Sequence, residues 1–162
     1  MHIWTLQKWK SKYKDKEVRT SVRLRFDKDV NEEVKISCKN FCRWIRKEFY
    51  FPIRVPIYVK SSYQLKTMDN DTAVGTFFEP EDPLVEPYIR IATGDYCELV
   101  EKKGKDAAKL AILESIAHEL THYFQWVNSL KLTEMDAERQ ANQYSIFILE
   151  EYLEQCHQLH LL

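Results

Sequence analysis

Apolar residues recur at helical spacing in three stretches of the chain. Between residues 29 and 49 they approximate one helical stripe, which predicts a helix with Asp29 as its N-terminal cap. A longer stripe predicts a second helix over residues 104–127. A third is predicted from about Thr133, a suitable capping residue, to near Cys156. The two closing helices follow each other directly, across a break at Asn128-Ser129.

Shorter runs, rich in β-branched and aromatic residues, predict strands between these helices. They are VPIYVK (55–60), AVGTFF (73–78) and YIRIAT (88–93), with a polar loop over residues 61–72. Residues 18–26 also alternate like a strand, but residues 1–28 as a whole are hard to assign. The order of elements predicts one α+β domain over residues 1–162, with a small mixed sheet of about three strands and an N-terminal backing helix.

Composition agrees with a soluble globular protein. The chain has 162 residues, of which 44% are hydrophobic and 30% charged. No apolar run approaches the roughly 20 residues that span a bilayer, and the N-terminus lacks the features of a signal peptide. We therefore expect a cytoplasmic protein without a membrane partner. In that compartment the four cysteines are expected to be free thiols, and Cys38 and Cys42 to be buried structural residues.

Charge is distributed unevenly along the chain. Residues 1–60 contain 16 Lys and Arg against 7 Asp and Glu, whereas the remainder contains 8 against 18. Such a division indicates either an anionic partner for the basic part or two parts that neutralise each other within one fold. No nucleic-acid-binding motif accompanies the basic residues. We therefore favour mutual neutralisation and expect no nucleic-acid partner; the oligomeric state is left open.

The segment HELTH places two histidines and a glutamate inside the second predicted helix. His118 and His122 are four residues apart, so their imidazoles share one helical face. At that spacing each ring can place a nitrogen about 2.0–2.1 Å from a single Zn²⁺. Glu119 lies to the side, where it can reach a water at the metal without being a ligand. Two half-buried histidines without partners would be costly, which favours a metal site.

A three-ligand zinc site needs one more protein ligand. A third histidine in the spacing HExxHxxGxxH is excluded, because Gln125 and Asn128 occupy the relevant positions. A carboxylate from the last helix is the alternative, and the sequence geometry allows either Glu134 or Glu138.

We prefer Glu138 as that ligand because of the residues that follow it. Ala141 is small enough to let two helices approach closely. Asn142, one turn below Glu138, can hold an imidazole through the ring nitrogen that does not bind the metal.

These residues resemble a known family. The pattern His118-Glu119-x-x-His122 followed by Glu138-x-x-Ala141-Asn142 is similar to that of the glutamate-type zincins, or gluzincins, especially their smallest soluble members. The resemblance covers residues 73–145, and residues 1–60 match nothing in the family. It implies a zincin-like fold, with an active-site helix, a following glutamate helix and a single Zn²⁺.

The resemblance also implies an activity. It implies a zinc-dependent endopeptidase that hydrolyses peptide bonds of a peptide or protein substrate, with Glu119 as general base. The small size of the chain favours narrow specificity or a regulatory cleavage. Two alternatives from other classes are a catalytically silent zincin-like metal-binding module and a protein that binds an acidic partner through its basic N-terminal part.

The resemblance implies substrate-binding positions as well, and the sequence offers candidates for one further role. An edge strand above the cleft corresponds to AVGTFF, where Ala73, Gly75 and Phe77 are the expected substrate-binding positions. Tyr144 and Tyr123 are candidates to stabilise the tetrahedral oxyanion. His157 and His160 are expected to belong to a solvated C-terminal tail rather than to the site.

Overall fold

The computed structural model describes the backbone of residues 2–161 and the side chains of residues 2–156. A 3₁₀ turn (Ile3–Thr5) precedes five helices: α1 (Lys10–Tyr13), α2 (Glu32–Glu48), α3 (Tyr96–Lys103), α4 (Lys105–Val127) and α5 (Glu134–Leu161). The strands are β1 (Val22–Phe26), β2 (Val55–Lys60), β3 (Leu65–Lys66), β4 (Thr72–Ala73), β5 (Gly75–Phe78) and β6 (Tyr88–Ala92). The predicted α+β class is confirmed. None of these helices is long and apolar enough to cross a membrane.

Four strands form one mixed sheet in the order β1-β2-β6-β5. β1, β2 and β6 run parallel, and β5 pairs antiparallel with β6 at the edge. The sheet therefore contains β1 in addition to the three expected strands. β1 lies within the alternating segment 18–26. β3 and β4 form a separate two-stranded hairpin, of which all residues but Ala73 lie in the region predicted to be a loop.

One face of the sheet packs against the helices, and α4 lies at the centre of that layer. α4 contacts the other long helices as well as β5 and β6. Its apolar side chains are buried around most of its circumference, which is typical of a central helix. The fully buried members include Ile116, Ala117, Leu120, Phe124 and Val127. The site-bearing helix is therefore held on several sides by the core.

The N-terminal segment, which had no clear pattern in the sequence, packs along α4. Trp4 is 1% exposed, and its indole nitrogen donates a hydrogen bond to Thr121 Oγ1 at 3.0 Å. Further along, Lys12 Nζ donates to the Val127 carbonyl oxygen at 3.1 Å, where a cation complements the C-terminal end of the helix. Isolated anchors of this kind have no periodicity that a sequence pattern could reveal.

Several elements differ from those predicted; α5, for example, ends at Leu161 rather than near Cys156. α2 is capped by Asn31, whose side chain accepts a hydrogen bond from the Glu33 amide at 2.8 Å, so Asp29 is not the cap. α3 was not predicted, because Gly104, with φ of +88°, separates it from α4 and the apolar stripe begins only after that break. The predicted strand 73–78 is interrupted: Ala73 belongs to β4 and pairs with Leu65, outside the edge strand.

All four cysteines are free thiols, as expected. Cys38 and Cys42 are buried on α2, and burial raises the pKa of the Cys38 thiol to about 12. Both are therefore unreactive core residues.

Gly94 lets two backbone segments come together beyond the end of β6. A Cβ at this position would lie 2.6 Å from the Tyr63 amide nitrogen and 2.7 Å from the Ser61 carbonyl oxygen. Because both neighbours are backbone atoms, we expect Gly94→Ala to lower the free energy of unfolding by about 1–3 kcal/mol. Urea denaturation measures this, and an unchanged midpoint would show that the loop adjusts without cost.

Candidate metal centre

Two consecutive helices bring the predicted ligands together. The chain reverses between α4 and α5, so Glu138, near the start of α5, lies opposite His118 and His122 on α4. Glu138 Oε2 is 3.1 Å from His118 Nε2, and Oε1 is 2.9 Å from His122 Nε2. The three side chains offer ligand atoms that all lie within 4.8 Å of one another, so this group could hold a metal ion. Glu134, the alternative that the sequence allowed, is not part of the group.

Gln125 fixes the orientation of the His122 ring and was not identified from the sequence. Its amide nitrogen donates to the Ala137 carbonyl oxygen at 3.0 Å, an atom that can only accept. The amide oxygen of Gln125 therefore points towards His122 Nδ1, 2.8 Å away. An oxygen acceptor at that place requires a proton on Nδ1, so neutral His122 presents the lone pair of Nε2 to Glu138.

In this tautomer the cluster is suited to bind a cation. A lone pair on His122 Nε2 faces a carboxylate oxygen 2.9 Å away, and two acceptors at that separation repel unless a cation lies between them. A proton or a metal ion is such a cation. The donor set of two imidazole nitrogens and one carboxylate fits a metal with three protein ligands.

The facing helix α5 also contacts His118. A side-chain hydrogen bond joins it to Asn142, the residue expected to support an imidazole. Burial lowers the pKa of His118, the neighbouring His122 lowers it further, and Glu138 and Asn142 oppose the shift. The net lowering favours the neutral ring, which is the form that binds metals.

Glu119 is a buried carboxylate beside the cluster. Its residue surface is 8% exposed. Burial, followed by the negative charge of Glu138, raises the pKa of Glu119 to about 8. A cation at the cluster opposes that shift, because it offsets the charge of Glu138 and favours the ionised form.

Gly75 allows the edge strand β5 to pass close to Glu119. A Cβ on Gly75 would lie 3.1 Å from Glu119 Oε1 and 3.3 Å from Ile91 Cδ1, closer than ordinary van der Waals contact. The missing side chain of Gly75 therefore makes room for the Glu119 carboxylate. Its expected role in substrate binding stays a prediction.

A cleft of about 1030 Å³ opens between β5, the end of α4 and the start of α5. Its walls carry Glu119, His122 and Glu138 together with the predicted substrate positions Gly75 and Phe77, but not Ala73. Apolar side chains from the end of α4 and the following turn complete one side, namely Trp126, Leu130 and Leu132.

The outer edge of β5 presents backbone groups beside this cleft. The Ala92 amide donates to the Val74 carbonyl oxygen at 2.8 Å, so these two residues are a hydrogen-bonded antiparallel pair. Hydrogen-bonded and non-bonded pairs alternate along such a ladder. Gly75 and Phe77, which pair with Ile91 and Ile89, are therefore non-bonded positions whose N–H and C=O groups point away from β6, towards the free edge.

Neither tyrosine proposed for oxyanion stabilisation is placed for that role. Tyr123 is fully buried; its hydroxyl donates to the Ile53 carbonyl oxygen at 2.7 Å and accepts from the Ile53 amide at 3.1 Å. Tyr144 packs against His2 and Phe147, with ring centroids 5.3 and 6.0 Å away, and lines a small hollow with them rather than the cleft. Both side chains instead make packing contacts away from the cleft. The side chains of residues 157 and 160 lie outside the described part.

Gln125 provides a test of how the site is organised. We expect Gln125→Leu to weaken zinc binding about 10- to 100-fold, because His122 loses the acceptor that fixes its tautomer. Competition with a chromophoric chelator measures the affinity. Gln140→Ala is the matched control, since Gln140 accepts from Gln125 at 2.9 Å and is not the residue bonded to His122 Nδ1. Equal losses in both variants would assign the effect to helix packing.

No protein-family model, no curated protein and no solved structure matches the chain. Its function is therefore inferred from the geometry and chemistry of its own residues.

Proposed function

We propose that the protein is a zinc-dependent peptidase with a zincin-like fold. His118, His122 and Glu138 hold one Zn²⁺, and Glu119 is the general base. The observation that carries the proposal is that His122 and Glu138 of the three-ligand group line one open cleft together with the separate, buried carboxylate of Glu119. A structural zinc site needs four closed ligands, whereas a catalytic site keeps three and leaves one position open.

The presence of Glu119 favours hydrolysis over oxidation as the proposed reaction. Two histidines and one carboxylate also suit the iron of oxygenases, so the ligand set by itself does not define the reaction. Hydrolysis requires a base that takes a proton from the attacking water. Glu119 follows His118 directly, borders the cleft and is not one of the ligand group, as such a base should be.

Each residue has a defined part in the proposed reaction. When bound, Zn²⁺ supplies Lewis acidity that activates water and polarises the substrate carbonyl. Glu119 accepts a proton from the water that attacks the peptide carbonyl carbon, and then gives that proton to the departing amine. Gln125 keeps His122 in the orientation and tautomer that ligation requires, and Asn142 holds the His118 side chain by a hydrogen bond.

The substrate is proposed to be an extended peptide that adds to the free edge of β5. Outward N–H and C=O groups at Gly75 and Phe77 can pair with a peptide backbone, as edge strands do in peptide recognition. A peptide paired along β5 would pass close to Glu119, because Gly75 of this strand lies beside the Glu119 side chain.

The test is metal-dependent cleavage of a mixed peptide library. We expect the zinc-loaded protein to cleave a subset of peptides, removal of zinc by a chelator to stop cleavage, and one equivalent of zinc to restore it. Mass spectrometry of the products identifies the cleaved bonds. Oxidised products that appear only with Fe²⁺ and dioxygen would overturn the proposal. So would a zinc-loaded protein that cleaves neither this library nor unfolded proteins.

A further inference from the structure

The sheet has a second face that does not pack against the helices. The described helices gather around α4, on the face that carries the fully buried Ile89 and Ile91. Side chains alternate along each strand, so Tyr58 and Arg90 point to the opposite face, where both are partly exposed. Sheets built mainly from parallel strands are normally covered on both faces. This face, which we call the open face, therefore requires an explanation.

Aromatic and basic side chains occupy the open face together. Arg25, Tyr58, Arg90 and Thr76 form a row across the four strands, because each is the direct register partner of the next. Beside this row, the Tyr88 ring lies 6.0 Å from the Tyr58 ring.

A third ring continues the aromatic part towards the sheet edge. The Phe78 and Tyr88 centroids are 4.9 Å apart and their planes differ by 19°, so the two rings are stacked. The result is a band of three rings, flanked by arginines.

Cations on the open face lack the acidic partners found elsewhere in the basic half of the chain. Arg19 and Arg54 pair with Glu86, as mutual neutralisation predicts. Arg23 and Arg25 are exposed and form no ion pair within the described residues. Arg90 has only uncharged partners there, Thr76 Oγ1 and the Lys66 carbonyl oxygen. Lys60, which pairs with Asp27 at 3.5 Å, is the exception at the end of the face.

We propose that the open face binds a short single-stranded segment of nucleic acid. Bases stack on Tyr58 and Tyr88, and phosphates contact Arg23, Arg25 and Arg90. Aromatic rings can stack on the bases of a nucleotide, and cations without an acidic partner can contact its phosphates. An acidic peptide would use only the cations. Adjacent strands lie about 4.8 Å apart, so the four-strand row spans about 14 Å, enough for two or three nucleotides.

This inference replaces the expectation that nucleic acid is not a partner. The sequence contained no recognised motif, because the open face is assembled from alternate residues of four strands that are distant along the chain. It does not rest on the proposed hydrolysis, since none of the stacking or phosphate contacts involves the metal ligands. Tyr88 and Arg90 of β6 also border the cleft, so the open face and the cleft share residues.

Fluorescence anisotropy with labelled 12-nucleotide oligo-dT and oligo-U tests the proposal. We expect saturable binding by the full chain at low salt, and an affinity about tenfold lower for Tyr88→Ala, with Tyr88→Phe close to wild type. Arg25→Ala is expected to weaken binding and to reduce the slope of log affinity against log salt by about 0.7. Circular dichroism verifies that each variant is folded.

Two control variants carry matched changes outside the open face. Tyr63→Ala removes another exposed tyrosine, and Lys102→Ala with Lys103→Ala removes exposed cations at the end of α3. Neither is expected to change the affinity by more than about twofold. Equal losses in the control and open-face variants would overturn the proposal, as would a wild-type protein that binds neither oligonucleotide. Binding that survives Tyr88→Ala and is displaced equally by poly-glutamate would assign the face to an acidic protein instead.

Discussion

Glu119→Gln is expected to lower peptide hydrolysis about 10²- to 10⁴-fold, because the amide cannot accept a proton from water. Zinc content should be unchanged, since Glu119 is not one of the three grouped ligands. The fold should be retained as well, because glutamine has nearly the same shape and removes a carboxyl whose ionisation burial opposes. Steady-state kinetics on one cleaved peptide, with zinc measured by atomic absorption, tests both parts of the expectation.

Glu134→Gln is the matched control for this variant. Glu134 also borders the cleft and undergoes the same change from carboxylate to amide, but it is exposed and outside the ligand group. We expect its rate to stay within about threefold of wild type, as is usual when an exposed charge makes only a weak interaction. A Glu119→Gln enzyme that keeps its rate, or a Glu134→Gln enzyme that loses as much, would remove Glu119 from the reaction.

Glu138→Ala is expected to lower zinc affinity by more than about 100-fold, beyond the loss typical of residues that only orient a ligand. Glu138 is the one carboxylate of the group; its Oε2 lies 3.1 Å from His118 Nε2 and its Oε1 lies 2.9 Å from His122 Nε2. Without it, zinc would have two protein ligands in place of the three of a catalytic site. Chelator competition gives the affinity, and zinc-dependent hydrolysis should disappear at limiting zinc.

The control for the ligand variant is Glu134→Ala, which removes an acidic side chain from the preceding turn of the same helix. It should leave zinc affinity within about threefold of wild type, since only a screened surface charge is lost. If Glu134→Ala lost zinc and Glu138→Ala retained it, α5 would supply the other of the two carboxylates that the sequence allowed.

Local periodicity accounts for the part of the fold that the sequence predicted. The predicted bounds of β2 equal the observed ones, and those of α4 differ from the observed ones by one residue. Both elements have local sequence signals, a β-branched run for β2 and a long apolar stripe for α4. β1 is a weaker alternating pattern, and its place as a fourth strand depends on pairing with residues more than 30 positions away. The 3₁₀ turn with Trp4 depends on one buried anchor, which leaves no repeat in the sequence.

The site was predictable to the extent that it follows helix geometry. His118 and His122 share a face because of their spacing, and Glu138 reaches them because α5 reverses against α4. Gln125 could have been found by noting that it lies three residues after His122, within reach of the second ring nitrogen. The contact between Gly75 and Glu119 joins residues 44 positions apart and depends on tertiary packing alone.

Diffraction from crystals of the zinc-loaded protein, recorded at the zinc absorption edge, tests the central claim most directly. We predict one anomalous peak at full occupancy, about 2.0–2.2 Å from His118 Nε2, His122 Nε2 and a carboxylate oxygen of Glu138. A peak bound by other residues, or no peak after dialysis against one equivalent of zinc, would contradict the account.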